Sequence, residues 1–172
     1  DQVWPKRCGF MAGKEVIPAA EATQKVRAAV EAAGPDGPVI IARTDALAPH
    51  GWDEVEARAR AFAEVGAELI FVDGLRTRAD AEACATRLGD LPLVYNGMLP
   101  VADMAALGFR LNLNSATLMA GFAALRAIHQ ELATTGRVEI SGVGGLFDQL
   151  NTLLGLPAVE AQRQRYGTDP EA

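Results

Sequence analysis

Val39-Ile40-Ile41-Ala42-Arg43-Thr44-Asp45 is the stretch on which the fold turns. Its first four residues make an apolar run too short for a helix, and the breaker cluster Gly34-Pro35-Asp36-Gly37-Pro38 stands directly before it, so it reads as a buried strand. Upstream, residues 21–33 place Val26, Ala29, Val30 and Ala33 at helical spacing, with Lys25, Arg27 and Glu31 turned elsewhere, which is the pattern of an amphipathic helix. Downstream the alternation repeats. Residues 53–65 are helical and closed by Gly66, and Leu69-Ile70-Phe71-Val72 is a second buried strand.

A helix is expected over 78–88, after which Gly89-Asp90 turns the chain into a strand at Leu93-Val94-Tyr95. A short helix over 101–107 leads through Gly108 into a fourth strand at 109–113, and a long helix follows over 116–135. Residues 142–145 are glycine-rich and read as a hinge before a helical piece around 146–154. Strands separated by helices pair in parallel through right-handed crossovers, as a doubly wound sheet or a barrel. No second domain boundary is visible, so residues 1–172 are expected to form a single domain, with 136–172 as C-terminal extension helices.

Length and composition narrow the function classes. At 172 residues and 49% hydrophobic content the chain can bury a real core. A formal charge of -6 and a pI near 4.9 offer no basic stripe for phosphate backbones, which argues against nucleic acid as a partner. No apolar run approaches the roughly 20 residues that span a bilayer, and the opening residues lack a secretory pattern. With two cysteines, Cys8 and Cys84, the expectation is a soluble protein of a reducing compartment, the cytoplasm.

In parallel α/β proteins the chemistry collects at the carboxyl ends of strands. There the sequence puts Arg43-Thr44-Asp45, Asp73, Asn96, Asn112 and Asn114. One cation, carboxylates and several carboxamides on one rim suit a small oxygen-rich anion, although single polar residues at strand ends also cap helices. Arg43 needs an acidic partner, a role that a ligand carboxylate fills as well as Asp45. In the opening segment, Lys6 and Arg7 precede the Cys8 thiol and Gly9 follows it. Adjacent cations favour a thiolate, which suits a nucleophile or an acid/base, against the plain alternative of a small buried filler. Cys84, inside a helix, keeps that plain reading. His50, in the loop Pro49-His50-Gly51, and His129, in the long helix, have no metal-ligand spacing, and no metal site is expected among these residues.

The order Asp1-Gln2-Val3-Trp4-Pro5-Lys6-Arg7-Cys8-Gly9, then Ile40-Ile41-Ala42-Arg43-Thr44-Asp45-Ala46, resembles the isocitrate lyase and phosphoenolpyruvate mutase superfamily, above all its methylisocitrate and 2-alkylmalate lyases. Segments 66–73, 95–96 and 107–110 resemble its later strands, and the likeness weakens past about residue 136. The resemblance implies an α/β fold, a (β/α)8 TIM barrel of which this chain supplies about the last four units, its N-terminal strands lying outside the sequence. A full barrel takes about 250 residues.

The resemblance also implies a carbon–carbon lyase acting on a 2-hydroxy di- or tricarboxylate. In it Cys8 is the acid/base, Lys6 and Arg7 the basic pair, and Gly9 a backbone donor. Arg43 is a carboxylate clamp, Asp73 stands where the lyases carry glutamate, and Asn96 is a substrate contact. It implies Mg2+ with ligands in the N-terminal half, and homo-oligomers, dimeric or tetrameric. Three departures stand out: Phe10 where the lyases carry histidine, no arginine match near Leu118, and the absent half. The alternatives are phosphonomutase, phosphonate hydrolase or oxaloacetate decarboxylase chemistry on the same fold, or a noncatalytic half-barrel that works by assembly.

Overall fold

The strand expected at 39–42 forms two residues later, as β1 (Ile41–Thr44). Ile40 already uses its backbone, its carbonyl accepting from the N–H groups of Glu68 and Leu69 and its own N–H donating to Glu68 Oε1. Val39, behind Pro38, is exposed. The shift places Arg43 and Thr44 inside the strand instead of after it. The computed structural model describes residues 1–9, 11–138 and 145–167. Phe10 and residues 142–144 of the expected hinge lie outside the described residues.

Before β1 comes α1 (Ala19–Ala33), and after it α2 (Leu47–His50) and α3 (Trp52–Glu64). β2 (Leu69–Val72), α4 (Arg78–Leu88), β3 (Leu93–Asn96), α5 (Val101–Ala106) and β4 (Leu111–Leu113) complete the sheet region. The chain continues in α6 (Ala116–Thr135), α7 (Leu146–Leu153) and α8 (Leu156–Tyr166). His50, expected in a loop, closes the single turn α2. Two compact units result, Asp1–Gly121 and Phe122–Ala172.

In the first unit the four strands are all parallel and lie in chain order, β1-β2-β3-β4. A doubly wound sheet reverses its order at a switch point, whereas this one never does. With right-handed crossovers, every connecting helix then falls on one face, as in the wall of a TIM barrel. Alternate strand residues confirm the two faces. Ala42, Ile70, Val72, Leu93 and Tyr95 pack with Val55, Phe62, Cys84, Leu88 and Met104 of the helices in one continuous core. Each large side chain buried there contributes roughly 1.5–3 kcal/mol. On the opposite face stand Ile41, Arg43, Phe71, Val94, Asn96, Leu111 and Leu113, in register across the sheet.

Local signals explain the ends. Thr77 and Asp80 form a reciprocal capping box at the start of α4. Gly66, at φ 100, makes the left-handed turn from α3 toward β2. The second unit holds the rest of α6 with α7 and α8. Its apolar side chains, among them Phe122, Leu125, Phe147 and Leu153, are exposed. α8 has only sparse apolar periodicity, which is why pattern reading does not single it out. No described helix is long and apolar enough to cross a membrane.

Candidate active site

β1 delivers Arg43 to the carboxyl end of the sheet, and two residues on the chain delivers Asp45. Arg43 Nε donates to Asp45 Oδ2 at 2.7 Å and Nη2 to Asp45 Oδ1 at 2.9 Å. The same Nη2 lies 3.0 Å from Asp73 Oδ1, at the end of β2. The guanidinium also stands over the Phe71 ring, 5.1 Å from its centroid. A second cation closes the group: Lys14 Nζ donates to Asp45 Oδ1 at 3.1 Å and to Asp73 Oδ2 at 2.9 Å. Lys14, Asp45 and Asp73 are buried, and two positive charges face two negative ones.

Their mutual bonds outweigh the cost of burial. Burial alone would raise the Asp45 carboxyl, but hydrogen bonds from Arg43 and Lys14 hold it down at about 2. Burial would likewise lower Lys14, and its bonds to Asp73 and Asp45 raise it instead. Arg43 is raised by its hydrogen bond to Asp45.

The opening segment is fastened to this cluster. Asp1 Oδ2 accepts from Thr44 Oγ1 at 2.7 Å, and Asp1 Oδ1 accepts from the Asp45 N–H at 2.9 Å. The buried Arg58 of α3 bridges Asp1 and Glu54. The Gln2 carboxamide grips the Arg7 backbone from both sides, Nε2 donating to its carbonyl at 2.9 Å and Oε1 accepting from its N–H at 2.7 Å. Arg7 Nη1 reaches the Ala12 carbonyl at 3.1 Å, so its guanidinium braces its own loop. Gly9 lies against the Asp73 carboxylate so closely that a Cβ there would overlap it. Cys8, beside it, is exposed.

A cleft of about 600 Å³ opens over these groups, and Lys6, Arg7, Cys8, Gly9, Arg43, Asp73 and Asn96 all line it. Asp45 and Asp1 join them. Asn112 does not. It lies within β4 in register with Tyr95, on the helix-facing side, and its buried carboxamide atoms have no hydrogen-bond partner among the described residues. Asn114 accepts from the Ala116 N–H at the start of α6, which is a capping role. Cys84 is buried in α4, and burial pushes its thiol up to about 12.

Sequence reasoning missed Lys14, Asp1 and Arg58 as parts of the site. Lys14 stands in Gly13-Lys14-Glu15, outside any periodic segment. A usable signal was the charge count: two aspartates at adjacent strand ends call for two cations, and Arg43 is only one. Among the described residues no group of three or more His, Cys, Asp or Glu side chains gathers to hold a metal. Asp45 and Asp73 are neutralised by Lys14 and Arg43, and Asp1 is taken by Arg58, so these residues do not fit a divalent cation.

Residues 6–133 match the phosphoenolpyruvate phosphomutase family. The chain is 37% identical over 134 residues to the petal death protein of Dianthus caryophyllus, covering 74% of this chain and 42% of that protein. To 2,3-dimethylmalate lyase of Eubacterium barkeri it is 28% identical over 179 residues, 98% of this chain and 61% of that one. To 2-methylisocitrate lyase of Escherichia coli it is 39% identical over 116 residues, 61% of this chain and 39% of that one.

Among solved structures, oxaloacetate acetylhydrolase in complex with 3,3-difluorooxalacetate superposes with a TM-score of 0.88 at 32% identity, covering 99% of this chain and 60% of that one. Phosphonopyruvate hydrolase in complex with oxalate and Mg2+ superposes with a TM-score of 0.79 at 26% identity, covering 96% and 60%. The chain thus spans between 39% and 61% of the length of these relatives.

Proposed function

Because the chain belongs to the phosphoenolpyruvate mutase and isocitrate lyase superfamily, we propose that the protein carrying it is a Mg2+-dependent carbon–carbon lyase acting on a 2-hydroxy di- or tricarboxylate. The observation that carries this reading is the cleft that reaches the strand carboxyl ends. An exposed thiol, a fixed guanidinium and a carboxamide meet there.

None of the bonds from Arg43 to Asp45 and Asp73 uses Nη1, so the two N–H groups on that nitrogen are left to take a substrate carboxylate. Asn96 and the Gly9 N–H orient the remaining oxygens, and Lys6 adds positive charge at the cleft wall. Cleavage breaks one C–C bond: the 2-hydroxyl gives up its proton to solvent water and becomes the carbonyl of an oxo acid, and the electron pair of the broken bond passes to the departing carboxylate fragment. The Cys8 thiol then protonates that fragment. No described residues gather to hold Mg2+, and in this reading its ligands belong to the N-terminal half of the barrel, as the resemblance implies.

The test is product analysis of the whole protein on a panel of 2-hydroxy acids with Mg2+ present. Release of an oxo acid, abolished by Cys8→Ser in a protein that still folds, supports the reading. Unchanged turnover in Cys8→Ser removes the thiol from the mechanism. The likeness to an oxaloacetate acetylhydrolase and a phosphonopyruvate hydrolase favours a second reading, hydrolysis of a 2-oxo acid on the same cleft. Oxaloacetate and phosphonates in the same panel separate the two. Assembly into homo-oligomers is part of the proposal, and sedimentation of the whole protein measures it.

A further inference from the structure

Arg43, Asp45, Asp73 and Lys14 form a closed ring of ion pairs in which each carboxylate touches both cations. We propose that Lys14 is a positioning residue of this site, holding the Cys8–Gly9 end of its loop and the Arg43 guanidinium in place through the two carboxylates it bridges. The inference rests on the reading of the cleft as a carboxylate site.

Three observations carry it. First, the Lys14 side chain is 3% exposed and its ammonium spans carboxylates from two different strand ends, a task that suits a compact point charge with three donors. Secondly, Lys14 does not line the cleft that holds Cys8. It borders a separate hollow of about 480 Å³ that also touches Gly9, so it acts on a ligand only through its partners. Thirdly, the loop is fixed to Asp73 at both ends, Gly9 resting on the carboxylate and Lys14 bonded to it.

Charge adds a consequence. With Lys14 the ring is neutral, and an anionic ligand meets the unspent N–H groups of Arg43. Without it, one guanidinium faces two buried carboxylates, the ring carries net negative charge, and Arg43 is drawn away from the ligand.

The test uses the whole protein in three forms: native, Lys14→Met, and Lys14→Arg, which keeps the charge. Oxalate is the probe ligand, read as protection of Cys8 from iodoacetamide, and amide hydrogen exchange over residues 8–14 reads the loop. In Lys14→Met, exchange across the loop should speed up by about tenfold or more. The oxalate concentration for half-protection should rise by about tenfold or more in the same variant, and Lys14→Arg should recover most of that loss.

A folded Lys14→Met protein with either readout unchanged overturns the inference. So does equal impairment of both variants, which would make side-chain shape the cause, and so does failure of both to fold, which would make Lys14 a residue of the fold alone. If oxalate gives no protection even in the native protein, the lyase reading fails, and the exchange rates alone decide whether Lys14 holds the loop.

Discussion

Gly9 faces the carboxylate of Asp73 with no room for a side chain: a Cβ at residue 9 would overlap Oδ2 and come within 2.7 Å of Oδ1 and 2.9 Å of Cγ. A side chain at this position therefore has to displace the group that Arg43 and Lys14 both hold. Gly9→Ala is expected to destabilise the protein by about 1–3 kcal/mol, the usual penalty of overpacking. Asp73→Ala should relieve part of it. A double-mutant cycle in urea checks this, and strict additivity of the two losses would mean that the contact carries no energy.

Asp45 makes stability depend on acid. Its carboxyl lies at about 2 in the folded protein against an ordinary 3.8, so the stability it contributes is present above about pH 4 and is lost as the pH falls toward 2. That contribution is on the order of 2 kcal/mol. Urea midpoints measured from pH 5 down to pH 2.5 should fall for the native protein and fall less for Asp45→Asn. Part of the slope will persist, because Asp80, although partial burial alone would raise it, is also lowered by its bonds to Thr77. Lys14 acts at the other end of the scale. Its raised value keeps its contribution intact below pH 10.5 and removes it only above that.

The two thiols should be separable by reagent. Cys8 is exposed, while Cys84 is fully buried with its thiol pushed up to about 12. Iodoacetamide at pH 8 should add one group to the folded protein, at Cys8, and a second only in denaturant. Mass spectrometry distinguishes the outcomes, and early labelling of Cys84 would show that α4 opens readily.

Phe62 offers the corresponding measurement for the core. It is 1% exposed and sits on α3, which packs against β1 and β2. Phe62→Ala should cost about 3–5 kcal/mol by calorimetry or urea unfolding. A loss under 1 kcal/mol would mean that the helix-facing layer does not hold the sheet.

Pattern reading locates the helices of the sheet region closely, because apolar residues repeat at helical spacing; on α3 the face with Val55, Ala59 and Phe62 is buried, whereas on α1 Val26, Val30 and Ala33 are half-buried and Ala29 is exposed. It placed β1 two residues early, since apolar character ends at Ala42 while hydrogen bonding continues through Arg43 and Thr44. Periodicity registers hydrophobicity and is blind to a ladder that runs on under polar side chains. The same blindness hid Lys14, whose burial depends on partners 31 and 59 residues away. Asn112 shows the converse error. Residue type assigns its carboxamide to the rim, whereas strand alternation turns it to the helix side.

Because the strands run parallel in unbroken order, the turns from α3 into β2 and from α4 into β3 lie at the opposite ends of those strands from Asp73 and Asn96. The Gly89-Asp90 turn between α4 and β3 is one of these, and it is exposed. Molecular engineering can therefore treat the two rims as independent surfaces. A fluorophore or an immobilisation tag at Gly89-Asp90 would sit at the opposite end of β3 from Asn96, leaving the ligand's approach unobstructed.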